Sequence, residues 1–341
     1  MKNPDLDWGS LPFGYVKTDY NVRCTYKDGK WGEIEVSDSE YVPLHIAASC
    51  LHYGQESFEG LKAFRGKDGK VRIFRMDENG KRFIRSAEGI SMQPMPLELF
   101  EEMVRKVVKL NERFIPPYGS GASLYIRPLE IGISPKIGVS PSEEYMVIML
   151  ATPVGPYFKD GFKPTKVCLS REYDRVAPKG TGSIKIGGNY AASLNAGQVA
   201  HDLGYSVMLY LDPKDKEYLD ECGAANFFGI KNNTYVTPDS ETVLPSITNM
   251  SLRQVAEDLG LKVERRHIPY AELKEFDEVG ACGTAAVCTP IGLIYDLDKK
   301  ETFEYGTEPG EWTTKLYNRL QGIQYGLEPD THGWCEIVEF D

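Results

Sequence analysis

From Thr152 to Pro164 the chain carries three prolines and two glycines, the composition of a break between two domains. A sequence broken there has to fold on either side of the break. The break predicts a smaller N-terminal α/β domain over residues 1–151, an interdomain linker at 152–163 and a larger domain over 164–341. At 341 residues the chain is long enough for roughly two domains, each with its own core.

Acidic residues outnumber basic ones by 50 to 39, a net charge of -11 that argues against nucleic acid or an anionic membrane surface as partner. A small anionic ligand is still allowed. Charges in Met1-Lys-Asn-Pro-Asp-Leu-Asp-Trp8 occupy the place of a secretion signal's apolar stretch, and no later apolar run approaches a membrane span, so a cytoplasmic protein is expected. The seven cysteines, Cys24, Cys50, Cys168, Cys222, Cys282, Cys288 and Cys335, form no C-x-x-C pair and read as reduced thiols. No histidine pair has metal-binding spacing, so no metal is expected. Gly119-Ser-Gly-Ala-Ser-Leu124 lacks the last glycine of a dinucleotide fingerprint, and neither a P-loop nor a G-x-S-x-G elbow occurs.

Alternating or apolar runs predict short strands at Trp31–Val36 and Val71–Phe74, each after a Lys-Asp-Gly turn, at 27–29 and 67–69. The segment His52–Lys62 is too rich in glycine and aromatics for a plain helix and reads as a binding loop or short helix. Phe100, Met103, Val107, Leu110 and Phe114 follow helical spacing over residues 97–114, and Pro116-Pro117 ends that helix. Strands are predicted over 124–129, 145–151, 167–170, 206–211 and 263–268, and a hairpin around Lys231-Asn-Asn233. Further helices are predicted over 190–203, from a cap at Thr248 or Ser251 to Leu259, over 271–279 and over 312–325.

Lys185 stands between Ile184 and Ile186, just before Gly187-Gly188. Apolar neighbours favour a neutral, nucleophilic amine, and glycines let a flat ring or another backbone come close. The same pattern also suits an ordinary lysine at a strand end. Taken alone, Glu221 reads as a surface acid and Arg82 as an exposed arginine.

Seven stretches, read together, resemble the branched-chain amino acid aminotransferases, pyridoxal phosphate (PLP) enzymes of fold type IV. They are Leu51-His-Tyr-Gly54, Phe58-Glu-Gly60, Arg82-Phe-Ile-Arg-Ser-Ala87, Leu124-Tyr-Ile-Arg-Pro128, Lys185-Ile-Gly-Gly-Asn-Tyr190, Glu221-Cys-Gly-Ala-Ala-Asn226 and Gly283-Thr-Ala-Ala286. Lys-x-Gly-Gly-Asn-Tyr followed by Glu-x-Gly-x-x-Asn is the specific part, and the stretches occur in the family's order over most of the chain.

The resemblance implies a mixed α/β protein of PLP fold type IV, two domains with the cofactor at their interface, and a homodimer. It makes Lys185 the lysine that carries PLP as a Schiff base and moves the proton between substrate Cα and cofactor C4′. Glu221 would keep the pyridine nitrogen protonated, and Tyr190 would hydrogen-bond the phenolic oxygen. Arg82, the turn Leu244-Pro-Ser-Ile247-Thr248 and Thr284 would hold the phosphate, by a guanidinium, hydroxyls and helix N-terminal N–H groups. By the same resemblance Tyr53, Phe58, Tyr125 and Tyr157 would wall an apolar pocket. Arg127 would meet the distal carboxylate of L-glutamate or 2-oxoglutarate, and the α-carboxylate would lie against Tyr125 and the N–H groups at Thr284-Ala285. Tyr53 and the loop Ile137-Gly-Val139 would serve the neighbouring subunit's site.

The implied reaction is ping-pong transfer of the amino group of L-leucine, L-isoleucine or L-valine to 2-oxoglutarate. The nearest competitors share fold and cofactor, a D-amino acid aminotransferase or an aminodeoxychorismate lyase; a non-catalytic binding protein is the alternative of another class. Where some animal relatives carry a redox-active C-x-x-C pair after Gly-Thr-Ala, this chain has Ala286 and Thr289, so thiol regulation of that kind is not implied.

Overall fold

The computed structural model describes residues 4–158 and 161–340. Met1 to Asn3 of the N-terminal stretch, Lys159 and Asp160 of the expected linker, and Asp341 lie outside the described residues. Among the described residues the chain forms two compact units, one of 4–158, 185–187 and 322–340 and the other of 161–184 and 188–321.

The first unit begins with β1 (Asn21–Lys27), β2 (Lys30–Trp31), β3 (Glu35–Ser37) and the short helix α1 (Ser49–Tyr53). It continues through β4 (Glu56–Phe58), β5 (Leu61–Arg65), β6 (Val71–Phe74), helices α2 (Met76–Gly89) and α3 (Leu97–Leu110), and strands β7 (Ser123–Gly132) and β8 (Tyr145–Val154). Its sheet runs β6-β5-β7-β8-β1-β2, with β3 on β1 and β4 on β7, and every pairing is antiparallel. Leu124 and Ile126 of β7 enter a core with Leu61, Ile73, Val147, Phe83 and Phe100. Strand alternation then puts Tyr125 and Arg127 on the opposite face. Gly80 lies inside α2, where an added Cβ would run into Leu97 and Phe100, so its small size lets the two helices approach closely.

The second unit holds β9 (Thr165–Leu169), most of α4 (Gly187–Asp202), β10 (Val207–Leu211), β11 (Leu219–Cys222), β12 (Ala225–Lys231) and β13 (Thr234–Pro238). After them come α5 (Ile247–Asp258), β14 (Lys262–Arg266), β15 (Glu278–Gly283), β16 (Val287–Asp296), β17 (Glu301–Glu304) and α6 (Glu311–Gln324). Its sheet runs β11-β10-β9-β16-β15-β12-β13-β14, and an extra β11–β12 pairing closes six of these strands into a barrel without free edges. Leu169, Leu209, Leu211, Phe227, Val279 and Ile294 belong to its core. The last strand, β18 (Cys335–Val338), returns to the first unit and pairs antiparallel with β6.

Several expectations change here. Gly32–Ile34 are not strand, because the Asp28-Gly29 turn pairs Trp31 with Tyr26 of β1, a strand the sequence reading missed. His52–Lys62 divides into the end of α1, β4 and the start of β5. The predicted helix over 271–279 is a 3-10 turn, Tyr270–Glu275, followed by β15, whose Glu278 pairs with Ile230. α5 is capped by Ser246, whose hydroxyl accepts from the Asn249 N–H at 3.2 Å, and not by Thr248 or Ser251, which lie inside the helix.

Candidate active site

Lys185 belongs to the first unit, and its backbone is fixed from two sides. Its carbonyl accepts from the Phe58 N–H of β4 at 3.1 Å, and its own N–H donates to Ser86 Oγ of α2 at 2.9 Å. The side-chain Nζ stands 4.7 Å from the centroid of the Phe58 ring. Two residues on, the Gly187 N–H donates to the Glu56 carboxylate. A Cβ at Gly187 would strike that carboxylate, whereas the position of a Cβ at Gly188 is open. Only the first glycine is therefore required by a close neighbour within this unit.

Phe58 carries a second cation. The Arg127 guanidinium lies 4.9 Å from its ring centroid and 5.3 Å from that of Tyr125, and Arg127 Nη2 donates to the Tyr125 hydroxyl at 3.0 Å. Burial pushes the Tyr125 phenol up despite Arg127 beside it. Gly60 leaves room for that ring, since a Cβ there would overlap the phenol. The half-exposed Phe13 sets its edge on Tyr125 at 5.0 Å between centroids.

Arg82 is buried, not exposed. Its Nε and Nη2 donate to the two oxygens of Glu59 at 2.6 and 2.9 Å, a bidentate pair, while Asn79 Nδ2 donates to Glu59 at 2.7 Å. Burial alone would raise the Glu59 carboxyl, but the charges of Arg82 and Lys185 and these hydrogen bonds hold it below its ordinary value. Asn79, Arg82 and Ser86 recur at helical spacing along one side of α2, so that helix aims Arg82 and braces Lys185 together.

Glu221, on β11 of the second unit, is buried as well. Arg175 Nε lies 2.7 Å from its carboxylate, and Asn226 Nδ2 donates to it at 2.6 Å and to the Leu244 carbonyl at 3.0 Å. Asn226 Oδ1 accepts from Asn249, which also bonds Tyr235 and Thr237. This network runs from Glu221 to the first turn of α5, where Ile247 and Thr248 sit and the helix leaves N–H groups without intrahelical acceptors. Thr284 and Ala285 occupy the turn between β15 and β16, next to Val287, whose φ of 66° is a left-handed conformation that strains a β-branched residue. Tyr190 is half-buried near the start of α4.

Within the first unit Phe58, Tyr125, Arg127 and Lys185 are brought together. Tyr53 ends α1, and its hydroxyl donates to the Ile137 carbonyl in the loop expected to serve a neighbouring subunit. Tyr157 is exposed, edge-on to Phe158. Sequence reasoning missed Glu56, Asn79, Ser86, Phe13, Arg175 and Asn249. The polar stripe of Asn79, Arg82 and Ser86 is a usable signal once α2 is recognised as a helix; Arg175 lies in irregular chain with no periodicity to read. Cys282 and Cys288 face each other across β15 and β16, and burial raises both thiols, Cys282 to about 12.

The chain matches the family profile described as amino-transferase class IV over residues 56–294. It is 45% identical to a branched-chain-amino-acid aminotransferase of Haemophilus influenzae, covering 98% of this chain and 99% of that one. A protein of the same name from Helicobacter pylori is 45% identical over 97% of each chain. Among solved structures, an Escherichia coli branched-chain amino acid aminotransferase superposes with a TM-score of 0.77 at 27% identity, covering 95% of this chain and 100% of that one. The T.th. branched-chain amino acid aminotransferase, solved with pyridoxamine 5'-phosphate, gives a TM-score of 0.77 at 27% identity over 95% of this chain and 100% of that one.

Proposed function

This chain belongs to the class IV aminotransferases, PLP-dependent enzymes, and on that premise we propose that it transfers the amino group of L-leucine, L-isoleucine or L-valine to 2-oxoglutarate. One observation carries the substrate reading: the Phe58 ring has the Lys185 amine at 4.7 Å and the Arg127 guanidinium at 4.9 Å. An apolar surface, a reactive amine and a cation for a distal carboxylate are thus held in one place, as an enzyme taking both aliphatic and acidic side chains requires.

The donor set suits PLP. A lysine amine held beside an aromatic face, a buried acid for a ring N–H, and a helix N-terminus with hydroxyls for a phosphate are all present among the described residues. When bound, PLP supplies the electron sink that makes the substrate Cα–H acidic. Lys185, whose backbone clamp limits where its amine can reach, would be the base that takes the substrate Cα proton. Glu221, braced by Arg175 and Asn226, would keep the pyridine nitrogen protonated. Arg82, already oriented by Glu59, is the first unit's group that would hold the phosphate, and in the second unit Leu244, Ile247, Thr248 and Thr284 are the groups that would do so. Tyr190 would donate to the phenolic oxygen. Phe58 would keep water from the substrate side chain, with Tyr53 and Tyr157 as its further walls, and Arg127 would take the distal carboxylate; Tyr125 of the first unit and the Ala285 N–H of the second are the groups that would meet the α-carboxylate.

No helix among the described residues is long and apolar enough to cross a membrane. In our reading the protein is a cytoplasmic homodimer in which Tyr53 and the 137–139 loop reach the neighbouring site. Lys185→Ala tests the assignment: turnover of L-leucine with 2-oxoglutarate should fall by about 10³-fold or more, and activity within tenfold of the parent would sink it.

A further inference from the structure

We propose that Glu56 is the built-in counter-charge of Arg127, and so sets how the pocket divides its affinity between neutral branched side chains and a distal carboxylate. The inference rests on the reading of Arg127 given above.

Glu56 and Phe58 are two residues apart on β4, and strand alternation puts them on one face. β4 pairs with β7 in the register Glu56↔Ile131 and Phe58↔Leu129, so the same face continues to Arg127 and Tyr125. The guanidinium over Phe58 therefore belongs to the surface that also bears the Glu56 carboxylate. That carboxylate is fixed, since it accepts the Gly187 N–H beside Lys185 and occupies the space a Cβ at Gly187 would need. It is partly buried, and burial raises its carboxyl against the lowering effects of the Gly187 N–H and the Arg127 charge.

A guanidinium walled by Phe58 and Tyr125 is costly without an anion. A branched side chain brings none, and Glu56 then supplies the negative charge. Glutamate or 2-oxoglutarate brings its own carboxylate, and two carboxylates around one guanidinium do not both keep their charge without penalty. Glu56 must take up a proton or turn away, a yielding that its burial already favours. Competition between Glu56 and the substrate carboxylate thus weakens acidic substrates while it supports neutral ones.

The test uses the PLP-loaded enzyme and measures the dissociation constants of L-leucine and L-glutamate separately, by single-turnover half-reactions. Glu56→Gln keeps an acceptor for the Gly187 N–H and removes the charge. It should tighten glutamate and weaken leucine, changing their ratio by about fivefold or more, the effect of losing one partly buried charge partner. Arg127→Gln should weaken glutamate selectively. If it does not, the reading of Arg127 falls and this inference falls with it. If Arg127→Gln behaves as expected while Glu56→Gln moves both constants together, or neither beyond twofold, Glu56 only braces Gly187 and this inference alone is overturned. Glu56→Asp, which keeps the charge, covers the case in which Glu56→Gln fails to fold; its ratio should stay within twofold of the parent, and a fivefold change would contradict the proposal.

Discussion

Replacing Arg82 with methionine isolates the electrostatics that prepare the first unit for its ligand. Glu59 is fully buried, and Arg82 supplies two of its charge-assisted hydrogen bonds, at 2.6 and 2.9 Å. Asn79 and the Gly60 N–H remain, neither of them charged, and Lys185 is left as the charge that still lowers the carboxyl. Removing one partner of a buried ion pair costs about 3–5 kcal/mol. Denaturant unfolding of the PLP-free protein should show that loss in Arg82→Met. The double variant Arg82→Met with Glu59→Gln should recover at least half of it, because no charge is then stranded. The pH dependence follows from the same pair. In the parent the Glu59 carboxyl is depressed, so its stabilisation is present above the ordinary glutamate range and is lost as pH falls through the lower folded value. In Arg82→Met burial is opposed only by Lys185, Asn79 and the Gly60 N–H, so the carboxyl rises, and stability should fall as pH climbs past the ordinary range. A single-variant loss under about 1 kcal/mol, or a double variant whose loss equals the sum of the singles, would refute this account of Arg82.

Glu130, on β7, is buried with no hydrogen-bond partner among the described residues for either carboxylate oxygen, and burial raises it from 4.5 to about 8. Between those values the folded protein keeps a proton that the unfolded chain has released, so this group's contribution to stability falls as pH rises through that window. Glu130→Gln should therefore gain on the parent by up to about 1.4 kcal/mol per pH unit across it; melting curves that stay parallel from pH 5 to 8 would contradict this. At Gly80 alanine gains about 1 kcal/mol in helix propensity but meets Leu97 and Phe100, an overpacking of about 1–3 kcal/mol. Gly80→Ala should lower the melting temperature, and a rise would mean that the α2–α3 contact is slack.

Local chemistry made part of this fold readable. Asn232 and Asn233 have φ of 49° and 55°, the conformation a two-residue hairpin turn demands, so the β12–β13 hairpin is written in its turn. Helical spacing likewise marks α3, where Phe100, Met103 and Val107 are buried. α2 escaped because Gly80 and a polar stripe blur its periodicity, although both have tertiary causes: Gly80 fits under α3, and Asn79 and Arg82 answer Glu59. β18 was missed for a different reason. Its partner β6 lies more than 250 residues away in the chain, and no local pattern specifies such a pairing. At the site, Lys185 and Glu221 were legible through motifs, whereas Glu56 and Arg175 become meaningful only once the fold sets a carboxylate against Gly187 and a guanidinium against Glu221.

The most direct test of the proposed reaction is the absorbance spectrum of the PLP-loaded protein during stepwise addition of L-leucine and then 2-oxoglutarate. The lysine-bound cofactor band should disappear with leucine and return with 2-oxoglutarate, which demonstrates both half-reactions on one protein. A band that forms but does not respond to leucine would contradict the branched-chain assignment while leaving Lys185 as the cofactor lysine.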